Sequence, residues 1–122
     1  MEYPLYSQIF SGLSNDTAIV TFKKKDNTIR TMICTRNRYT IEGNCGDIIY
    51  QLLGKDKHCN INNGNMSVID IAIGEARSFN INNLINIEYL GEIKTPEEYT
   101  TALAKYLEAM QRNESLTEKD NI

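Results

Sequence analysis

No apolar run in this sequence approaches the roughly 18–20 residues that a membrane-spanning helix requires. Its opening residues carry no basic segment followed by an apolar stretch. A soluble, cytoplasmic protein is therefore the expectation. Three cysteines, Cys34, Cys45 and Cys59, make an odd number without framework spacing, which argues for free thiols in a reducing compartment. The single histidine, His58, adjoins Cys59. With Cys45 as the nearest further cysteine, the spacing fits no zinc pattern. Adjacent side chains on extended backbone point apart, so His58 and Cys59 make no nucleophile–base pair either. The segment from Leu52 to Lys57 lacks the glycine spacing of a phosphate-binding loop. Asp47, Asp56, Asp70 and Glu75 form no recognisable carboxylate pair. Asn15-Asp16-Thr17 and Asn113-Glu114-Ser115 match the glycosylation triplet, but without a secretion signal they carry no weight. The reading is a non-enzyme with no metal and no cofactor.

What is present suits one domain. The 122 residues are 41% hydrophobic and 24% charged, enough for a core and ordinary for a soluble protein. Residues 1–113 read as the domain and 114–122 as a flexible polar tail. The net charge of −3 conceals a segregation. Residues 1–60 hold eight Lys/Arg against six Asp/Glu, whereas residues 61–122 hold five against ten. Between 20 and 38 the count is six basic to one acidic, a concentration that suits a charged partner.

Leu5, Ile9 and Leu13, four residues apart with Tyr6 and Phe10 beside them, predict a short N-terminal helix that frays at Ser11-Gly12. The stretch from Ala18 to Thr35 reads as a hairpin with Asp26-Asn27 as a two-residue turn. That turn pairs Lys25 with Thr28, Lys23 with Arg30, Phe22 with Thr31 and Val20 with Ile33. Val20, Phe22, Ile29 and Ile33 then share one face. Ile19, Met32 and Cys34 share the other, with Lys23, Lys25 and Arg30 near the tip. Apolar residues on both faces favour a small, strongly curved sheet or barrel. Residues 36–65 read as irregular apart from a short helix at 46–54, where Ile48, Ile49, Leu52 and Leu53 form a stripe. Strands follow at about 66–73, 76–81 and 85–90. Thr95, Pro96 and Glu98 make a capping-box start for a helix over 96–112, with Tyr99, Leu103, Tyr106, Leu107 and Met110 on one face. The fold class is mainly β with helical additions (α+β): a five-stranded antiparallel barrel, a short N-terminal helix and a C-terminal amphipathic helix.

Two segments carry a resemblance. Residues 20–37, VTFKKKDNTIRTMICTRN, and 67–87, SVIDIAIGEARSFNINNLINI, resemble the opening hairpin and closing half of the phage-associated WYL-like family. Its members have a strand, a Lys-Lys-Asp-Gly-Thr turn, a strand ending Met-x-Cys-Thr with Asn two residues on, and an aromatic-Arg-Ser-Phe segment. Here Asn27 replaces the turn glycine and Ala76 the aromatic, while 46–65 and 95–113 are additions. The resemblance implies a Sm-like, SH3-like barrel in a phage-associated protein; a regulatory or effector role is the expectation by analogy of fold with the WYL domains of bacterial regulators.

Two partner classes follow. A host protein is the leading one, bound by the barrel edge or by the helix face Tyr99, Leu103, Tyr106 and Met110. The same face could pair two copies in a homodimer. The alternative is DNA or RNA, with Lys23, Lys24, Lys25, Arg30, Arg36, Arg38 and Arg77 meeting phosphates. Arg77 shares a strand face with core Phe79. It is either paired with Asp70 or Glu75 or free to take a phosphate or carboxylate.

Overall fold

The computed structural model describes residues 3–55 and 61–120. In chain order they form α1 (Tyr3–Asn15), β1 (Thr17–Lys23), β2 (Ile29–Thr35), α2 (Arg38–Cys45), α3 (Asp47–Lys55), β3 (Asn65–Asp70) and β4 (Glu75–Asn80). A 3-10 turn (Ile81–Asn83), β5 (Leu84–Gly91) and α4 (Pro96–Asp120) follow. The fold is α+β. All five strands lie in one antiparallel sheet of order β4-β3-β2-β1-β5.

Among the described residues no ladder joins β4 to β5, so the sheet is open. It is nonetheless strongly coiled. Three strand spacings separate β1 from β4, about 14 Å in a flat sheet, yet the rings of Phe22 on β1 and Phe79 on β4 lie 5.7 Å apart. The face that brings them together is concave. It holds Ala18, Val20, Met32, Cys34, Met66 and Val68 and is covered by Tyr6, Ile9 and Leu13 of α1. The convex face presents Ile19, Ile33 and Ile69 to Ile41 of α2, Leu53 of α3, and Ala102 and Ala109 of α4. This corrects the reason given for apolar residues on both faces of the hairpin. Helices cover the sheet on both sides, and strands so enclosed read as continuous hydrophobic runs.

The hairpin register is also corrected. Lys23 pairs with Ile29, Phe22 with Arg30, Thr21 with Thr31, Val20 with Met32 and Ile19 with Ile33, one residue away from the expectation. Asn27 N–H donates to Lys24 C=O at 3.0 Å, and Lys24 N–H to Thr28 C=O at 2.8 Å. Asn27 itself has φ 70°. The connection is thus a three-residue loop, a turn closed by a left-handed residue, rather than a two-residue one. Because side chains alternate, the one-residue slip moves every residue of β2 to the opposite face. Met32 and Cys34 therefore join Val20 and Phe22, and Ile33 joins Ile19.

All four helices depart from expectation in some respect. α1 continues through Ser11-Gly12 to Asn15, and its last carbonyls find partners on the segment after β2. Leu13 C=O accepts from Arg36 N–H at 2.8 Å, and Asn15 C=O accepts from Asn37 Nδ2 at 3.1 Å. The helix end is thereby satisfied without a terminal glycine. α2 lies within residues expected to be irregular. Asn37 caps it, its Oδ1 accepting from Thr40 N–H at 2.9 Å, as a short polar side chain does at a helix start. α4 begins as expected, with Glu98 N–H donating to Thr95 Oγ1 at 3.1 Å, and runs to Asp120 rather than 112. On α3, Leu53 is buried but Ile48 is exposed, so the expected stripe there is narrower.

Candidate functional site: a basic cleft at the hairpin tip

The β1–β2 loop carries its lysines because the turn leaves them nowhere to pack. Lys23, Lys24 and Lys25 are exposed and enter no salt bridge among the described residues. Asp26 stiffens the tip instead of neutralising it outright. Its carboxylate accepts from Thr28 Oγ1 at 2.5 Å and Thr28 N–H at 3.0 Å. The Thr28 hydroxyl, then the Thr28 amide and the Lys24 charge, hold that carboxyl below its ordinary value.

The coil of the sheet brings the far end of β4 to this tip. A cleft of about 450 Å³ lies between them, lined by Lys23, Lys24, Lys25, Arg30, Asn65 and Asn83 among others. Its opposite wall is an amide network. Asn80 Nδ2 donates to Asn63 C=O at 2.7 Å and to Asn65 Oδ1 at 2.9 Å, while Asn80 Oδ1 accepts from Asn82 N–H at 2.9 Å. Tyr6 Oη donates to Asn65 C=O at 2.8 Å, which ties this wall to α1. A cationic wall facing a fixed amide wall can bind an anion and hydrogen-bond what the anion carries. The sequence reading missed Asn65, Asn80 and Asn83. A signal exists, for Asn-Ile-Asn-Asn occurs twice, at 60–63 before β3 and at 80–83 from the last residue of β4 onward.

Of the seven basic residues singled out from sequence, the fold gathers Lys23, Lys24, Lys25 and Arg30 at this cleft. Arg30 also reaches the buried Asp70, its Nη2 lying 3.8 Å from Oδ2. Burial pushes the Asp70 carboxyl above its ordinary value, against the N–H groups of Ala72 and Ile73 and the charges of Arg30 and Arg77. Arg77 sits across from Val68 on β4, where its Nη2 pairs with Glu75 and its Nη1 donates to Ala76 C=O at 2.8 Å. Arg36 and Arg38 lie past the other end of β2. Arg36 donates to Ser67 C=O, and Arg38 Nε pairs with Glu42 at 2.7 Å. The four arginines are thus engaged within the fold, and the three lysines remain.

The α4 stripe packs inward. Tyr99, Leu103 and Tyr106 lie against the convex core, Tyr99 Oη donates to Ile71 C=O at 2.9 Å, and Met110 is half-buried while Leu107 is exposed. Farther along, Asn113 Nδ2 donates to Thr21 Oγ1 at 3.1 Å and to Thr31 Oγ1 at 2.5 Å, which clamps the helix to the middle of the hairpin.

Cys34 is buried, Cys45 is half-buried, and both are free. Burial and the Asp70 charge push both thiols up, so neither is a ready nucleophile. His58 and Cys59 lie outside the described residues. Among the described residues, no group of three His, Cys, Asp or Glu could hold a metal ion, and no helix is long and apolar enough to cross a membrane. Comparison with protein-family models, with curated proteins and with solved structures gives no match.

Proposed function

We propose that this chain is a small non-enzymatic regulatory protein that binds nucleic acid through phosphates held in the hairpin cleft. The observation that carries the reading is the convergence of Lys23, Lys24, Lys25 and Arg30 on one cleft with an amide wall opposite. Lysines without a salt-bridge partner are the groups a phosphate can take at least cost, since no existing pair need be broken. The coiled sheet, its 3-10 link from β4 to β5 and the pairing of β5 with β1 support reading the fold as an incomplete SH3-like barrel. The regulatory part of the reading rests on analogy of fold between the WYL-like family it resembles and the WYL domains of bacterial regulators.

The test is retention on an immobilised oligonucleotide as a function of salt. Three phosphate contacts to a single strand give a log–log slope of about −2, or about 20-fold weaker binding between 50 and 200 mM salt. Replacing Lys23, Lys24 and Lys25 together by alanine should flatten the slope towards zero. A wild-type protein whose retention ignores salt overturns the reading.

A second reading, a regulator that binds a host protein, is favoured by the groove between α1 and the outer strand β5. There Leu5, Ile87 and Tyr89 line a space of about 400 Å³, and Ile85, the extra residue of a β-bulge, is 55% exposed. Sheet edges of this kind accept an added strand. Binding to a protein through the α4 stripe or a homodimer across it would first require that helix to leave the sheet. Salt-independent capture would favour this second reading.

A further inference from the structure

A groove of about 980 Å³ lies beyond the other end of β2, between the end of α1, the start of α2 and α3. Three of its lining residues are aromatic: Phe10, Tyr39 and Tyr50. Two guanidinium groups lie over two of those rings. Arg36 Cζ is 4.3 Å from the Phe10 ring centre and Arg38 Cζ is 5.6 Å from that of Tyr50. Both arginines are already held, Arg36 by Ser67 C=O and Arg38 by Glu42, and Asp16 and Glu92 also line the groove. The charge there is balanced, in contrast to the hairpin cleft. What remains open is planar surface. Tyr39, in the first turn of α2 beside the Asn37 cap, is 76% exposed and presents its ring to the groove rim.

We propose that this groove takes unpaired nucleobases, stacked on Tyr39 and on the ring-backed guanidiniums, from the same strand whose phosphates occupy the hairpin cleft. The proposal rests on the nucleic-acid reading above and deepens it: the ligand is single-stranded, because bases within a duplex cannot leave their stack to reach an aromatic platform without an unpairing cost. A balanced, planar groove suits a base better than a phosphate, and the lysine-rich cleft suits a phosphate better than a base. The two sites are separated by the seven residues of β2, roughly 20 Å. Single-strand-binding barrels cover about 4–16 nucleotides, enough to span both.

The probe is a fluorescein-labelled dodecathymidylate, with a twelve-base-pair duplex beside it, followed by anisotropy. Base–aromatic stacking of the ordinary strength predicts that Tyr39→Ala weakens dodecathymidylate binding about 5- to 100-fold. It should leave the duplex affinity and the salt slope unchanged, and Tyr39→Phe should bind as the wild type does. The chain contains no tryptophan, so Tyr39→Trp installs a single indole at the platform. Its fluorescence should be quenched by the unlabelled single strand and not by the duplex. If Tyr39→Ala binds the single strand within twofold of wild type, or the indole is indifferent to it, the stacking site is refuted. The nucleic-acid reading would still stand if the triple-lysine variant lost its salt slope. If the wild type binds neither probe, both fall together.

Discussion

Asn113 offers the sharpest test of how α4 is attached. Both hydrogens of its amide are used, one on Thr21 Oγ1 and one on Thr31 Oγ1, and these threonines face each other across β1 and β2. Two neutral hydrogen bonds contribute about 1–3 kcal/mol together. Against this, Asn→Ala in a helix gains about 0.5 kcal/mol of intrinsic propensity. Asn113→Ala should therefore destabilise by about 0.5–2.5 kcal/mol net, a fall in melting temperature of a few degrees to about 10 °C for a chain of this size. The assay is urea unfolding followed by circular dichroism, with an unchanged m-value showing that only stability has moved. Because both threonine side chains are buried, a cycle with Thr21→Val and Thr31→Val isolates the clamp. In the double-valine background, Asn113→Ala should cost far less than in the wild type. Equal losses in the two backgrounds would refute the clamp and assign the effect to the helix alone.

The Asp70 carboxyl, raised by burial, gives a pH signature of unusual sign. A native state that holds its proton more firmly than the unfolded chain is most favoured below the ordinary carboxylate value of 3.8 and loses that advantage as pH rises through the raised value. Urea midpoints of wild type and Asp70→Asn between pH 4 and 7 should therefore shift in favour of the variant as pH increases; the opposite trend would mean that Arg30 and Arg77 outweigh burial. Leu103→Ala, removing a half-buried side chain from the convex core, should cost about 1–3 kcal/mol. Since α4 packs on its own sheet, the melting temperature should not change on concentrating the protein tenfold, whereas a dimer held by this helix would melt higher.

The sequence was most legible where one physical signal dominated. Thr95, Pro96 and Glu98 marked the start of α4 because a cap is a local, three-residue event. The alternation in 66–90 placed β3, β4 and β5 to within a few residues. The hairpin register was not legible, because a two-residue and a three-residue loop both place Asn27 in a left-handed conformation and differ in whether Asp26 joins it, which it does not here, and aspartate permits both. α2 was missed because its cap, Asn37, is shared with the end of α1, a contact between segments that no local window contains. The site divided in the same way. The lysines of the tip were read directly, while their amide wall depends on a coil that brings β4 back to β1. The arginines looked like one patch in sequence and are distributed over the fold, each with its own partner.

The sharing of one hairpin between two cores has a consequence for how the chain reaches this state. Ala18, Val20, Met32 and Cys34 belong to the concave core while Ile19 and Ile33, between them in sequence, belong to the convex one. Neither helical layer has a floor to settle on until β1 and β2 have paired. That pairing is local, closed by three residues, whereas β1 meets β5 only by bringing Thr17 to Gly91, and long loops close late because their entropy must be overcome first. The hairpin is thus the expected nucleus, with β5 and α4 the last to arrive, and pulse-labelled hydrogen exchange would show protection in that order. Once formed, the hairpin is gripped from both sides, so losing either layer exposes the other's foundation, and the domain is built to unfold as one unit rather than in halves.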